Sequence, residues 1–214
     1  MCGRFSLVEA MYDLQQYYQF EMREDFLYTP NRNLSPSQQA AAIVQVNGHR
    51  YPASFRWGLI PPFAKDEKIG YKTFNARSET VAEKPSFRKA FQSKRCLIPA
   101  SSFYEWKKSG KDKQPFEIKR RDGEPITFAG LWESWRHNDE IVRSCTILTT
   151  EPNDLMADIH NRMPVILERN SFDQWLDPEE NKESLQKLLK PCASELLTAE
   201  AISGDRFKKS GASQ

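Results

Sequence analysis

Between residues 6 and 20, apolar or aromatic side chains recur at Leu7, Met11, Leu14, Tyr17, Tyr18 and Phe20. That is close to the spacing of one helical face, so the pattern predicts a short amphipathic helix with Cys2 just upstream of it. The Pro, Asn and Ser content of residues 30–36 predicts a loop. Residues 40–46 then read as a strand, Asn47-Gly48 as a tight hairpin turn, and residues 51–57 as the return strand.

Pro61-Pro62 breaks the pattern, and a charged loop over 63–70 leads to Tyr71-Lys72-Thr73-Phe74-Asn75-Ala76-Arg77. Further on, β-branched and aromatic runs separated by Gly or Asp predict strands over 95–99, 102–106, 116–119, 126–129, 142–149 and 163–167. Helices are expected over 84–91, 153–158, 171–175 and 183–189, with Ser171 and Ser184 as caps. The expected fold class is α+β. One domain spans residues 2–203, and the Gly/Ser-rich segment 204–214 reads as a flexible tail.

The chain has 214 residues, enough to bury a substantial core. Lys and Arg total 31 against 29 acidic residues, so a net charge of +2 argues against a basic tail while permitting a local basic groove. With no apolar run of about 18 residues and no secretory leader, the expectation is a cytoplasmic protein. Cys2, Cys96, Cys145 and Cys192 are scattered without a C-x-x-C pair, so neither a metal site nor a disulfide framework is expected, and no cofactor is called for.

Position 2 carries the most chemistry. Cysteine is small enough to permit removal of Met1, and an amino-terminal cysteine is a 1,2-aminothiol. Its amine can form an imine with an aldehyde, after which the thiol closes a five-membered thiazolidine ring. An α-amine titrates at about 7.7 to 8.0, so much of it is nucleophilic near neutral pH without a strong shift. By position alone, Cys2 is an ordinary small apolar residue at a chain end. Gly3 and Arg4 beside it supply flexibility and a cation.

Five motifs bear on that choice: Cys2-Gly3-Arg4-Phe5, Trp57-Gly58-Leu59-Ile60-Pro61, Asn75-Ala76-Arg77-Ser78-Glu79-Thr80, Phe103-Tyr104-Glu105-Trp106 and His160-Asn161-Arg162-Met163-Pro164. In this order they resemble the SRAP (SOS-response-associated peptidase) family over about residues 2–190. The resemblance implies a barrel-like core of mixed and antiparallel sheets with peripheral helices. It also implies a sensor of abasic sites in single-stranded DNA that links covalently to the lesion through its terminal cysteine and shields it.

On that resemblance Asn75 orients Cys2, and Glu105, flanked by aromatics, is the general acid/base with its pKa pushed upward. His160 opens the deoxyribose or contacts a phosphate. Arg4, Arg77 and Arg162 clamp phosphates. Trp57, Gly58 and Leu59, with Ile60, form a projecting apolar loop that stacks on bases or wedges a duplex at a single-strand/double-strand junction. His49 and His137 fall in predicted turns and are assigned nothing.

The implied protein is a monomer whose partner is abasic single-stranded DNA, nucleoid-associated if bacterial, with crosslink reversal and a weak lyase activity as accessory chemistry. Two other readings stay open. One is a thiol peptidase with Cys2 as nucleophile and His160 or Glu105 as base; the other is a noncovalent single-strand binder in which Cys2 is merely packed. The segment after Ile202 departs from the family's usual ending, which puts a final strand in doubt.

Overall fold

The stretch expected as one helix divides in two. In the computed structural model, β1 (Phe5–Leu7) comes first and α1 (Met11–Tyr18) starts after an extended Ala10. Phe5, Ser6 and Leu7 are all buried, with Phe5 paired to Leu34 on one side and Phe103 on the other. A segment with both edges laddered in this way is committed to a strand. The structure describes residues 2–110 and 112–207, apart from the side chain of Arg206.

After α1 come β2 (Asn31–Leu34), β3 (Gln39–Val46), β4 (His49–Trp57), β5 (Asn75–Arg77) and α2 (Arg88–Ser93). The middle consists of β6 (Arg95–Ala100), β7 (Ser102–Ser109), β8 (Asp112–Arg120), β9 (Ile126–His137) and β10 (Glu140–Thr150). Then follow α3 (Asp154–Ala157), β11 (Met163–Pro164), α4 (Phe172–Leu176), α5 (Lys182–Leu188) and β12 (Leu197–Ala201).

Two sheets result. The first is antiparallel, in the order β12-β8-β7-β1-β2. The second runs β10-β4-β3-β6-β9 and closes on itself because β9 and β10 pair again along their length, giving a five-stranded barrel without free edges. β5 and β11 attach to β10, β5 in parallel. Aromatic contacts weld the sheets together: Phe5 meets Trp57 at 5.0 Å and Phe128 at 5.7 Å between ring centroids, and Phe103 meets Phe128 at 6.0 Å. The α+β class with a barrel core and peripheral helices is therefore the observed architecture.

The Asn47-Gly48 turn is as expected, with φ of 51° and 82° joining β3 to β4. Elsewhere long-range pairing overrides local signals. β2 occupies the expected loop at 30–36 because it edges the first sheet against β1. α2 begins at Arg88, later than expected, because residues 80–87 are spent on turns around Pro85. The expected strand 163–167 is only two residues long, with an isolated bridge between Ile166 and Phe128 beyond it. β12, which the sequence left in doubt, is a full edge strand along β8. Of the expected tail, Gly204–Phe207 forms a 3-10 turn, and residues 208–214 lie outside the described residues.

Candidate functional site

Cys2 sits in the seam between the two sheets. Tyr104 N–H donates to Arg4 O at 3.0 Å, extending the β1–β7 pairing toward the amino terminus. From the barrel side, β5 is fixed by its register with β10, Asn75 opposite Ile147. It delivers Asn75, whose Nδ2 donates to Cys2 O at 2.8 Å. Asn75 Oδ1 is buried and has no hydrogen-bond partner among the described residues. A buried acceptor left in this state costs about 1–3 kcal/mol, a penalty that a ligand or a nearby N–H can relieve.

Cys2 is 0% exposed, and its Sγ lies 4.0 Å from Arg4 O. Burial pushes the thiol well above its ordinary range, and the charge of Glu105 pushes it further the same way. The resting thiol is therefore protonated at neutral pH. Met1, whose removal the sequence reading requires, lies outside the described residues.

Glu105, on β7, is 3% exposed and reaches both Cys2, through its charge, and a cleft of about 250 Å³ that it lines with Trp106, Lys108, Lys113 and His160. His160 follows α3, with its N–H donating to Met156 O at 2.8 Å. Arg162 N–H donates to His160 Nδ1 at 3.0 Å. Nδ1 also lies 3.1 Å from Arg162 O, so the same ring nitrogen accepts from that N–H in one tautomer and donates to that carbonyl in the other. Glu105, Asn75 and Cys2 are thus brought together, and His160 shares the Glu105 cleft.

The arginines differ among themselves. Arg77 is exposed on β5, open to an anion. Arg4 donates to Asn33 Oδ1 at 2.7 Å, and its guanidinium stacks 5.3 Å from the ring centre of Phe207. Arg162 is already committed. It binds Glu79 in a bidentate pair at 2.6 and 3.0 Å and also donates to Thr149 O at 2.6 Å, and the pairing holds the Glu79 carboxyl below its usual range. A phosphate at Arg162 would have to displace Glu79.

The Trp57–Ile60 segment is a correction to the sequence reading, because it does not project. Trp57, Leu59 and Ile60 are each 0% exposed, and Trp57 Nε1 donates to Phe74 O at 2.8 Å. Gly58 has a φ of +132°, and a Cβ there would stand 2.6 Å from Gly70 O. Glycine is needed there to let two backbones touch. The apolar run that suggested a wedge is the floor of the core, and the exposed aromatics nearby are Phe63 and Tyr71.

Three participants escaped the sequence reading. Trp106 lies inside a quoted motif, where its place beside Glu105 on β7 was the available signal. Glu79 and Phe207 are far in sequence from Arg162 and Arg4, and no local pattern pairs them. Among the described residues no group of three or more His, Cys, Asp or Glu could hold a metal ion, and no helix is long and apolar enough to cross a membrane.

Comparison with known proteins adds an independent line. A model of the SOS response associated peptidase (SRAP) family matches residues 1–206. The chain is 47% identical over 209 residues to the abasic site processing protein YoaM of Bacillus subtilis, covering 95% of this chain and 91% of that one. It is 28% identical over 183 residues to the abasic site processing protein YedK of Escherichia coli, covering 84% and 81%. A crystal structure of a protein from Bacteroides thetaiotaomicron superposes with a TM-score of 0.89 at 30% identity, covering 98% of this chain and 95% of that one.

Proposed function

We propose, for a chain that belongs to the SOS response associated peptidase (SRAP) family, that it processes abasic sites in single-stranded DNA by forming a thiazolidine crosslink through Cys2 once Met1 has been removed. The amine lone pair attacks C1′ of the ring-opened deoxyribose aldehyde, and loss of one water leaves an imine. The thiol sulfur then adds to the imine carbon, its proton passes to the nitrogen, and the ring closes. Amine, thiol and aldehyde give thiazolidine and water, with no oxidant or metal required.

The observation that carries this reading is the tether at Asn75. Its Nδ2 holds Cys2 O while Oδ1 stays buried without a partner among the described residues, the acceptor that a terminal amine needs. The raised thiol supports the order of events. A protonated sulfur is a poor first nucleophile, so the amine leads and the thiol follows. It also counts against a resting thiolate peptidase. Glu105 relays protons in both steps, His160 assists opening of the sugar from the shared cleft, and Arg77 and Arg4 hold phosphates. Run in reverse, the same groups reopen the ring, and an imine that escapes closure permits β-elimination of the strand.

The test is a denaturing gel of Met1-free protein with an abasic oligonucleotide. A slow band that survives heating is expected, and Cys2→Ala should give only an adduct trappable by borohydride. A heat-stable band undiminished in Cys2→Ala would overturn the role of the thiol, and no adduct of any kind would overturn the function.

A further inference from the structure

After β12 the chain does not leave the first sheet. Ile202 N–H donates to Pro115 O at 3.0 Å, and Gln114 Nε2 donates to Ile202 O at 2.8 Å, so the last segment stays bound beside β8. The 3-10 turn Gly204–Phe207 then lays the Phe207 ring against β7. There it meets Tyr104 edge-on at 4.9 Å and Trp106 at 5.2 Å between centroids, and the Arg4 guanidinium stands 5.3 Å from its centre.

Arg4 and Trp106 are two residues away from, and next to, the two groups that do the chemistry, Cys2 and Glu105. Among the described residues, the Asn33 hydrogen bond and this ring are what fix the long, rotamer-rich Arg4 side chain. Trp106 lines the Glu105–His160 cleft and an adjoining one of about 320 Å³, whereas Phe207 lines neither. Phe207 therefore stands behind Trp106 and does not cover it.

We infer that Phe207 is a positioning residue for strand binding, holding the Arg4 guanidinium and the Trp106 indole in the arrangement that receives a phosphate and a base beside the Cys2 seam. The inference rests on the nucleic-acid reading above, but on its noncovalent part only. Each phosphate contacted on a single strand contributes about 0.7 to the slope of log affinity against log salt. A side chain that merely stabilises the fold leaves that slope unchanged.

The experiment measures binding of the full chain to a plain, undamaged single-stranded oligonucleotide across a salt series, so that no crosslinking enters. Phe207→Ala is expected to weaken binding roughly three- to ten-fold. It should also lower the salt slope by about 0.7, with the melting temperature reported alongside. Phe207→Tyr keeps the ring and should restore both quantities. Arg4→Gln should lower the slope equally, and the double variant should lower it no further. An unchanged slope in Phe207→Ala, or tighter binding as expected of a cover being removed, would overturn the inference. Wild-type chain that binds the plain strand but never crosslinks an abasic one overturns the proposed function alone; chain that binds no strand overturns both.

Discussion

Two buried thiols in this protein share the same solvent exposure and differ in the charged and hydrogen-bonding groups that face them. Cys145, on β10 inside the barrel, is pushed above its ordinary range by burial alone. Cys2, in the seam between the sheets, is pushed up by burial and also by Glu105, while Asn75 grips its carbonyl and Arg4 follows two residues later. Ser144 and Thr146 flank Cys145 as buried hydroxyls, but no charged group among the described residues acts on that thiol, whereas the seam sets a carboxylate and an amide against Cys2. Burial by itself makes a cysteine inert; converging polar groups with an unmet hydrogen-bonding need make one a candidate reactive centre.

Replacing Glu105, the proposed proton carrier of the seam, gives the largest expected effect. Glu105→Gln keeps the shape and removes the titrating group, so the initial rate of crosslinking should fall about 10²- to 10⁴-fold in single-turnover gels, with strand affinity retained. A rate within a factor of two of wild type would place the proton transfer elsewhere.

The barrel thiol should behave in the opposite way. Cys145→Ala is expected to leave crosslinking intact, to lower stability at every pH by the packing lost, and to flatten the alkaline decline. A thiol whose folded pKa lies above its unfolded value contributes stability that is present below the unfolded pKa, near 9.0, and is lost as pH rises beyond it. The unfolded chain ionises there while the folded chain stays protonated. Each such group steepens the decline by at most about 1.4 kcal/mol per pH unit. Denaturant unfolding at pH 8 and pH 10 should thus show a smaller loss in the variant than in wild type. An equal loss would mean that Cys145 ionises within the fold.

The same contrast explains what the sequence made legible. The barrel strands announced themselves through alternation and β-branched runs, and Asn47-Gly48 fixed the β3–β4 hairpin because only a few residues accept positive φ. Cys2, Asn75 and Glu105 were legible as motifs, and the fold draws them together as expected. The Trp57–Ile60 run was not, because an apolar stretch before two prolines looks the same whether it projects or lines a core; hydrogen bonds from Trp57 to Phe74 and Gln38 decide it. Arg162 appeared free for phosphate because Glu79, its partner, lies 83 residues away along the chain. Phe207 was hidden in a polar tail because its partners, Arg4, Tyr104 and Trp106, come from the opposite end of the chain and from its middle. β1 was mistaken for helix because Leu7 also fits the helical spacing of the residues after it, and only its ladder partners settle the matter.

In the proposed reaction Cys2 acts as an aminothiol. Intact mass measurement of the protein bound to an abasic oligonucleotide tests it most directly. A closed ring gives an adduct with the mass of the Met1-free chain plus the DNA minus one water, unchanged by later borohydride treatment. An adduct with no water lost, one that gains two hydrogens on reduction, or one formed by chain that retains Met1 would contradict it.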